Sequence, residues 1–358
     1  MGLWRGTVAP VNPGFWAGKR VLLTGHTGFK GGWAAIWLSR MGASVTGLAL
    51  APDQTPSLFE QARIATRVNS RIADLRQPDE IADVLSGKTF DLVLHMAAQP
   101  IVRVSIEDPI GTFETNIMGT ANLLQALRSQ SALQAILVIT SDKVYANHET
   151  GAAFVETDKL GGKDPYSASK AATEIIVQSF ARSYFQSVPV GTARGGNVIG
   201  GGDYSRDRLV ADIVRAVAAG EAVTLRHPEA TRPWQHVLDC LAGYFAHIEA
   251  LATNPATPRV LNFGPRPGGV QVSVGELATL GVAALKGQPW RHVPDPGSLE
   301  ARTLAIDASL AKRTHGFESR LEAPEAVALT MDWYRRQAGG EDALSLCETQ
   351  ITDYEGRS

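Results

Sequence analysis

The sequence predicts an α/β fold: a doubly wound parallel sheet with a smaller mixed α/β unit toward the C-terminus. Three observations carry this. First, apolar runs of strand length alternate with helix-length stretches from position 19 to 193, the pattern of parallel strands joined by right-handed crossovers. Second, the run Val21-Leu22-Leu23-Thr24 ends in three glycines spaced three apart, Gly25, Gly28 and Gly31, and a helical pattern with Trp33, Ile36, Trp37 and Leu38 starts at once. Third, the grammar changes after Arg194. Gly195, Gly196, Gly200, Gly201 and Gly202 crowd one segment, and turns follow at Pro228, Pro233, Pro265, Pro267, Pro289, Pro294 and Pro296.

In order, the elements are justified as follows. Positions 1–18 carry Trp4, Pro10, Pro13 and Phe15 without an apolar run and read as an extended lead-in. Strands are expected at 21–24, 44–50, 68–72, 92–95, 135–139 and 188–193, where short apolar runs rich in Val, Ile and Leu are bounded by turn residues. Helices are expected at 32–41, 78–85, 109–127 and 166–185, two of them opened by Pro78 and Pro109 at a first-turn position. Leu261-Asn262-Phe263 reads as a strand that returns to the first sheet. Positions 339–358 are polar and read as a loose tail.

Bulk composition narrows the class. With 358 residues, 44% hydrophobic and 20% charged, the chain can bury a large core in two packed units. A net charge of -2 argues against a nucleic-acid protein, which carries a basic face. No apolar run reaches the roughly 18 residues that span a bilayer, and the N-terminus lacks the apolar core of a secretory signal. Cys240 and Cys347 stand far apart without a Cys-x-x-Cys pattern, so neither a disulfide framework nor a metal site is expected, and a cytoplasmic location fits.

The glycine triplet suits a dinucleotide. Glycine lets the backbone turn sharply and approach a diphosphate closely, and the helix start offers free N–H groups and a positive dipole end. The candidate cofactor residues are Gly25, Thr27, Gly28, Phe29, Lys30 and Gly31, with Lys30 adding charge near the diphosphate. His26 either touches phosphate or caps the loop. The second strand ends in Ala49-Leu50-Ala51-Pro52-Asp53, with an acid slightly late and no arginine for a 2′-phosphate, which favours NAD over NADP. The expected division is therefore a lead-in over 1–18, an NAD-binding unit over 19–195 joined by segments near 234–265, a substrate unit mainly over 196–338, and the tail.

Tyr166-Ser167-Ala168-Ser169-Lys170 is the second anchor. Tyrosine and lysine four apart share one face of a helix, and a nearby ammonium favours the phenolate, so Tyr166 can serve as a base below its usual pKa of about 10.

Together, the glycine turn and Tyr-x-x-x-Lys resemble the extended short-chain dehydrogenase/reductase superfamily, whose members modify nucleotide-linked sugars on a Rossmann-type sheet. Leu94-His95-Met96-Ala97-Ala98-Gln99 resembles its strand end beside the cofactor, which implies Ala97, Ala98 and Gln99 as cofactor contacts. Asp74-Leu75 resembles the pair that reaches the adenine. Thr115-Asn116-Ile117-Met118-Gly119-Thr120 resembles the helix that carries a structural asparagine; Asn116 is also placed with the substrate-side candidates Arg194, Asn197, Arg208 and Arg232, since guanidinium groups clamp phosphates. The resemblance also implies a homodimer or homotetramer through the helices at 109–127 and 166–185, with Leu123, Leu124, Leu127, Ile175, Ile176 and Phe180 as candidate interface residues.

Thr140-Ser141-Asp142-Lys143-Val144-Tyr145 narrows the reading. Epimerases of the superfamily have small residues after the serine or threonine, whereas its 4,6-dehydratases carry an acid and a second titrating group. Ser-Asp-Lys, with Gly-His-Thr-Gly-Phe-Lys-Gly at the front, Gly-Asn-Val-Ile-Gly-Gly-Gly-Asp at 196–203 and Thr231-Arg232-Pro233-Trp234-Gln235-His236-Val237, resembles the dehydratases that act on CDP-glucose. This implies Ser141, Asp142, Lys143, Tyr166 and Lys170 as catalytic residues, Thr140 beside the cofactor, and a deoxysugar nucleotide as product. Asp142 must then hold a proton near neutrality, through burial. A dehydratase or 4-epimerase for a dTDP-, UDP- or GDP-hexose, and a non-catalytic dinucleotide sensor, are the alternatives.

Overall fold

The structure is a computed structural model that describes residues 11–295 and 303–357. Positions 1–10 of the expected lead-in, with Trp4 and Pro10, lie outside the described residues, as do Pro296 and Ser358. The chain runs α1 (Pro13–Trp16), β1 (Arg20–Thr24), α2 (Phe29–Arg40), β2 (Ser44–Ala49), α3 (Leu58–Gln61), β3 (Asn69–Ile72), α4 (Pro78–Leu85), β4 (Leu92–His95), α5 (Val102–Glu107), α6 (Pro109–Phe113), α7 (Gly119–Leu127), β5 (Ala135–Ile139), α8 (Pro165–Tyr184) and β6 (Val190–Gly195). It continues through β7 (Asn197–Ile199), α9 (Leu209–Ala218), β8 (Thr224–Leu225), β9 (Trp234–His236), α10 (Val237–Thr253), β10 (Val260–Phe263), α11 (Val274–Leu285), β11 (Arg291–His292), α12 (Ser309–His315), α13 (Ala323–Ala338) and α14 (Ala343–Glu355).

Seven strands form one sheet in the order β3-β2-β1-β4-β5-β6-β10, every pair parallel. Winding reverses between β1 and β4, which leaves a crevice at the strands' C-terminal edge. Both faces are covered, so the strands are apolar on both sides. Leu22, Val93, Ile136 and Val138 join one core with α4, α7 and α8. Val21, Leu23, Leu94 and Leu137 join the other, with Trp33 and Trp37 of α2 and Leu241 and Phe245 of α10. β10 returns to the sheet beside β6, Leu261 opposite Ala193. The short pairs β7–β9 and β8–β11 belong to the C-terminal half. Among the described residues no helix is long and apolar enough to cross a membrane.

Three expectations are corrected. The segment after Ala338 is not a loose tail: Leu344, Cys347, Ile351 and Tyr354 of α14 are buried. Their spacing of three and four residues is an apolar stripe that the polar residues between them disguise. Tyr354 donates to Asp239 Oδ1 at 2.7 Å, and Trp37 Nε1 donates to Glu355 Oε1 at 2.8 Å. The lead-in is not extended throughout, because Pro13–Trp16 forms a helical turn whose Trp16 is fully buried. The expected helix at 109–127 is α6 and α7 joined by a π turn, Glu114–Met118. Leu123, Leu124 and Leu127 are fully buried in the core, so they form no interface. The exposed large hydrophobic residues over the stretches 109–127 and 166–185 are Ile110, Met118, Ile175 and Tyr184.

A buried charge pair joins β6 to α8. Arg194 Nη2 donates to Glu174 Oε2 at 2.9 Å, with side chains 2% and 0% exposed. Thr192 and Thr140 donate to the same carboxylate at 2.9 and 2.5 Å, and Arg194 also donates to the Tyr145 hydroxyl at 2.9 Å. Burial alone would lower the guanidinium's affinity for its proton, but the bond and charge of Glu174 hold it above its ordinary value. Replacing Arg194 by Met leaves Glu174 buried and uncompensated. Urea unfolding should therefore show a loss of about 3–5 kcal/mol; a loss under about 1 kcal/mol, the range of an exposed pair, would refute this.

Candidate active site

The glycine turn packs backbone on backbone. Gly25 has φ +79°, and its N–H donates to Leu48 O at 2.8 Å. A Cβ on Gly25 would lie 2.8 Å from Ala97 N, and one on Gly31 would meet the Gly25 carbonyl carbon at 2.6 Å. Only glycine permits either approach. Gly28 caps α2 without a side chain, so the first-turn N–H groups stay open to an anion. Thr27 steadies the turn by donating to Leu50 O at 2.8 Å. Phe29 reaches across to Gly200, where a Cβ would lie 3.0 Å from its Cζ. His26 is neither a phosphate contact nor a loop cap. Its ring is buried against Gly47, its Nε2 lies 2.7 Å from Ser70 Oγ, and burial pushes it down to about 4, so it packs as a neutral group.

The ends of β1 and β4 are tied together. Thr24 Oγ1 accepts from Met96 N and Ala97 N at 3.1 and 3.0 Å and lies 2.7 Å from His95 Nδ1. Asn116 Oδ1 accepts from Gln99 N at 2.8 Å, and its Nδ2 donates to Gln99 O at 3.1 Å and Ser169 Oγ at 2.9 Å. Asn116 is thus a buried clamp rather than a substrate contact. The π turn that contains it is the local register change such sites often use. Asp74 accepts three bonds from the Arg76 guanidinium at 2.6 to 3.1 Å, and these hold its carboxyl below the ordinary range. Leu75 is buried beside Gly119.

The catalytic candidates converge at the ends of β5 and α8. Asp164 caps α8 through Ser167 N at 2.9 Å, and Ser105 Oγ accepts from Tyr166 N at 3.0 Å. Lys170, one turn on, donates to Ile139 O at 3.0 Å. Burial, then the charge of Lys30, pushes Lys170 down to about 7, with Glu174 opposing. Tyr166 departs from the sequence expectation: burial raises its hydroxyl, with the Ser141 hydrogen bond and Arg208 only partly opposing. Desolvation therefore outweighs any help from the lysine, which is engaged with the backbone. Ser141 caps the turn Asp142–Val144 by accepting from Lys143 N at 3.2 Å and donates to Asp142 Oδ1 at 3.0 Å. Asp142 Oδ2 is buried without a partner. Burial raises this carboxyl against the pull of Lys143, Ser141, Arg232 and Lys30. The Lys143 ammonium lies 5.9 Å from the Tyr166 ring centroid.

A cavity of about 350 Å³ opens beside this cluster, lined by Asp142, Lys143, Asn197, Arg208, His227 and Arg232. Arg208 Nη2 donates to Pro100 O at 3.3 Å, and Arg232 donates to Thr231 O at 2.9 Å. Two further candidates do not belong there. Arg194 is spent on Glu174, and the Thr140 hydroxyl points to the same carboxylate. Sequence reading missed Ser105, Asp164 and Glu174. The Asp164-Pro165 cap signal and Glu174 four residues after Lys170 were legible; Ser105 had no local signal. Among the described residues no group of three His, Cys, Asp or Glu could hold a metal ion. The glycine cradle and the open start of α2 do fit a dinucleotide.

Known proteins agree with this geometry. Residues 21–264 match the model of the NAD dependent epimerase/dehydratase family. The chain is 39% identical to CDP-glucose 4,6-dehydratase of Salmonella typhimurium, over 96% of this chain and 98% of that protein. It is 29% identical to dTDP-glucose 4,6-dehydratase of Streptomyces griseus, over 71% and 74%. The solved UDP-glucose 4-epimerase of Thermus thermophilus, a complex with NAD, superposes with a TM-score of 0.75 at 27% identity, covering 88% of this chain and 99% of that one. The dTDP-glucose 4,6-dehydratase of Streptomyces venezuelae, with NAD bound, has the same fold with a TM-score of 0.77 at 24% identity, over 91% and 99%. The chain belongs to the NAD dependent epimerase/dehydratase family.

Proposed function

We propose that the chain is an NAD-dependent nucleotide-sugar 4,6-dehydratase that converts CDP-glucose to CDP-4-keto-6-deoxyglucose. The carrying observation is the turn after β5, where a buried carboxyl with an unpartnered oxygen, Asp142, adjoins Lys143 beside Tyr166. A 4-epimerase needs only to remove and return the C4 hydrogen, whereas elimination across C5 and C6 needs an added acid and base. The near full-length likeness to the Salmonella enzyme supports CDP as the nucleotide.

In this reading Gly25, Gly28, Gly31 and the first turn of α2 seat the cofactor diphosphate. NAD held there would supply a hydride acceptor for C4 and a hydride donor for C6 within one turnover. Tyr166 takes the 4-hydroxyl proton as its phenolate, becoming neutral; burial disfavours that phenolate, and the ammonium of Lys170 is the charge that would favour it. The resulting C4 ketone acidifies C5–H. Lys143 removes that proton, and Asp142 protonates the departing 6-hydroxyl, which leaves as water. A raised carboxyl keeps its proton toward neutral pH, which is what the donor requires. Arg208, Arg232 and Asn197 hold the nucleotide sugar. Residues 19–195 with 234–265 form the cofactor unit, and 196–338 supply most of the substrate wall. The exposed Ile110, Met118 and Ile175 are the surface for a homodimer in a cytoplasmic enzyme.

Incubation with CDP-, dTDP-, UDP- and GDP-glucose should give the alkaline absorbance of a 4-keto-6-deoxy sugar with the CDP substrate at least tenfold faster than with the others. A C4 epimer without that absorbance would overturn the dehydratase assignment. Asp142→Asn should still oxidise C4 while water loss slows by 10²–10⁴-fold, the usual worth of a positioned acid; unchanged product formation would remove it from that role. Lys143→Met should slow incorporation of solvent deuterium at C5 by a similar factor, and normal incorporation would leave Lys143 structural.

A further inference from the structure

We propose that Tyr145 is a positioning residue of this reaction: its hydroxyl fixes the Asp142–Lys143 turn against the sheet and, through Arg194, against the helix that carries Tyr166 and Lys170. The kinetic consequence rests on the dehydratase reading; the geometry does not. Tyr145 closes the short turn Asp142–Val144 and lines the cavity with Asp142 and Lys143. It is 2% exposed, and its ring stacks on Phe154 with centroids 4.8 Å apart and planes 6° apart. The hydroxyl donates to Asn262 Oδ1 at 2.6 Å and accepts from Arg194 Nη1 at 2.9 Å. Chemistry fixes both directions. A guanidinium cannot accept, so the phenol proton goes to Asn262. The Asn262 amide is itself oriented, because its Nδ2 donates to Phe154 O at 2.9 Å and to Asp307 O at 3.2 Å. Burial pushes the hydroxyl up to about 12, so it keeps that proton at neutral pH and holds a place rather than exchanging protons with substrate.

The two anchors stand at one register. Asn262 of β10 lies opposite Arg194 of β6, so one hydroxyl spans two neighbouring strands of the sheet. Arg194 Nη2 carries the link on to Glu174 at 2.9 Å, one helical turn beyond Lys170 on α8. The backbone of the turn is also stapled to the segment 159–161: Gly161 N donates to Val144 O at 2.8 Å, and Ala146 N to Lys159 O at 2.9 Å. Neither of those bonds reaches the sheet or α8, and the Tyr145 hydroxyl reaches both. The reaction needs that connection at one stage. Elimination requires Asp142 and Lys143, on the turn, to act at C6 and C5 while Tyr166, on α8, holds the sugar at C4. The turn and the helix must then keep a fixed separation. Oxidation at C4 draws on α8 and the cofactor seat. A loosened turn therefore slows elimination and spares oxidation.

The test is Tyr145→Phe in the full-length protein, which keeps the stacked ring and removes one oxygen. Without substrate, amide hydrogen exchange at Lys143, Val144 and Ala146 should quicken by about tenfold, the worth of roughly one buried hydrogen bond, while α8 keeps its wild-type exchange. With CDP-glucose, the rise of reduced-nicotinamide absorbance that reports C4 oxidation should keep its rate, and KM should stay near wild type. Deuterium entry at C5 and product formation should slow by about 10–10²-fold, the scale of a small misplacement of reacting groups. Unchanged exchange in the turn, an equal rise in α8, unchanged elimination, or oxidation slowed as much as elimination would each overturn the proposal. Asn262→Ala, which removes the acceptor, serves the same comparison if Tyr145→Phe fails to fold. Exchange is read without substrate, so its failure would leave the dehydratase reading standing. A wild-type protein that forms no 4-keto-6-deoxy product would end that reading and leave the exchange result to judge the tether.

Discussion

Between Gly25 and Gly31 there is no room for a side-chain atom, and the placement of the whole site follows from that contact. It presses the start of α2 against the end of β1. From there the helix aims its open N–H groups over the crevice, sends Lys30 toward Tyr244 of α10, and lays Trp33 and Trp37 against the second half of the chain. Trp33 Nε1 donates to Gly201 O at 2.9 Å, and Trp37 packs against Phe245 and Tyr354. One backbone contact thus orients the cofactor seat and the C-terminal elements together.

The second governing fact is dryness. The reacting groups Tyr166, Lys170 and Asp142 are buried, so desolvation is the largest influence on each. It raises the acids and lowers the amines, which brings a carboxyl and an amine toward a common range. That convergence suits a reaction that takes up and releases protons within one turnover. Nearby, Arg194 and Glu174 show the opposite solution. There, two buried charges and their hydrogen-bond partners satisfy one another, and the pair serves the fold.

Much of the fold was legible because strands buried on both faces are written as uninterrupted apolar runs. The runs at 92–95 and 135–139 mark β4 and β5 to the residue. α14 was missed because its stripe is one face of an otherwise polar helix that packing against α2, α3, α10 and α13 makes useful. Leu123, Leu124 and Leu127 were misplaced for the converse reason: an apolar face looks the same whether it meets a partner or the protein's own sheet. In the site, the glycine spacing, Tyr166 with Lys170, and Ser141-Asp142-Lys143 were visible as motifs. The inward duties of Arg194 and Thr140 were not, since their residue types suit a ligand equally well, while Asn116 was read both as a structural asparagine and as a substrate contact.

What the sequence determined by itself is therefore local: the strand–turn–helix at Gly25–Gly31, the shared helical face of Tyr166 and Lys170, and the chemistry available at Asp142 and Lys143. Each depends on spacing within a few residues, which backbone geometry converts directly into proximity. The tertiary structure alone decided burial and company. It set Lys30 of α2 near Tyr244 of α10 and Lys170 of α8 on the Ile139 carbonyl, gave Arg194 to Glu174, and raised Tyr166 instead of lowering it. Those outcomes depend on which distant segments exclude water from a group and which charges come with them. For Gly25–Gly31 the result is that a turn legible as a phosphate cradle also carries Lys30 to 6.0 Å from the ring centroid of Tyr244 on α10, a placement that no local spacing announces.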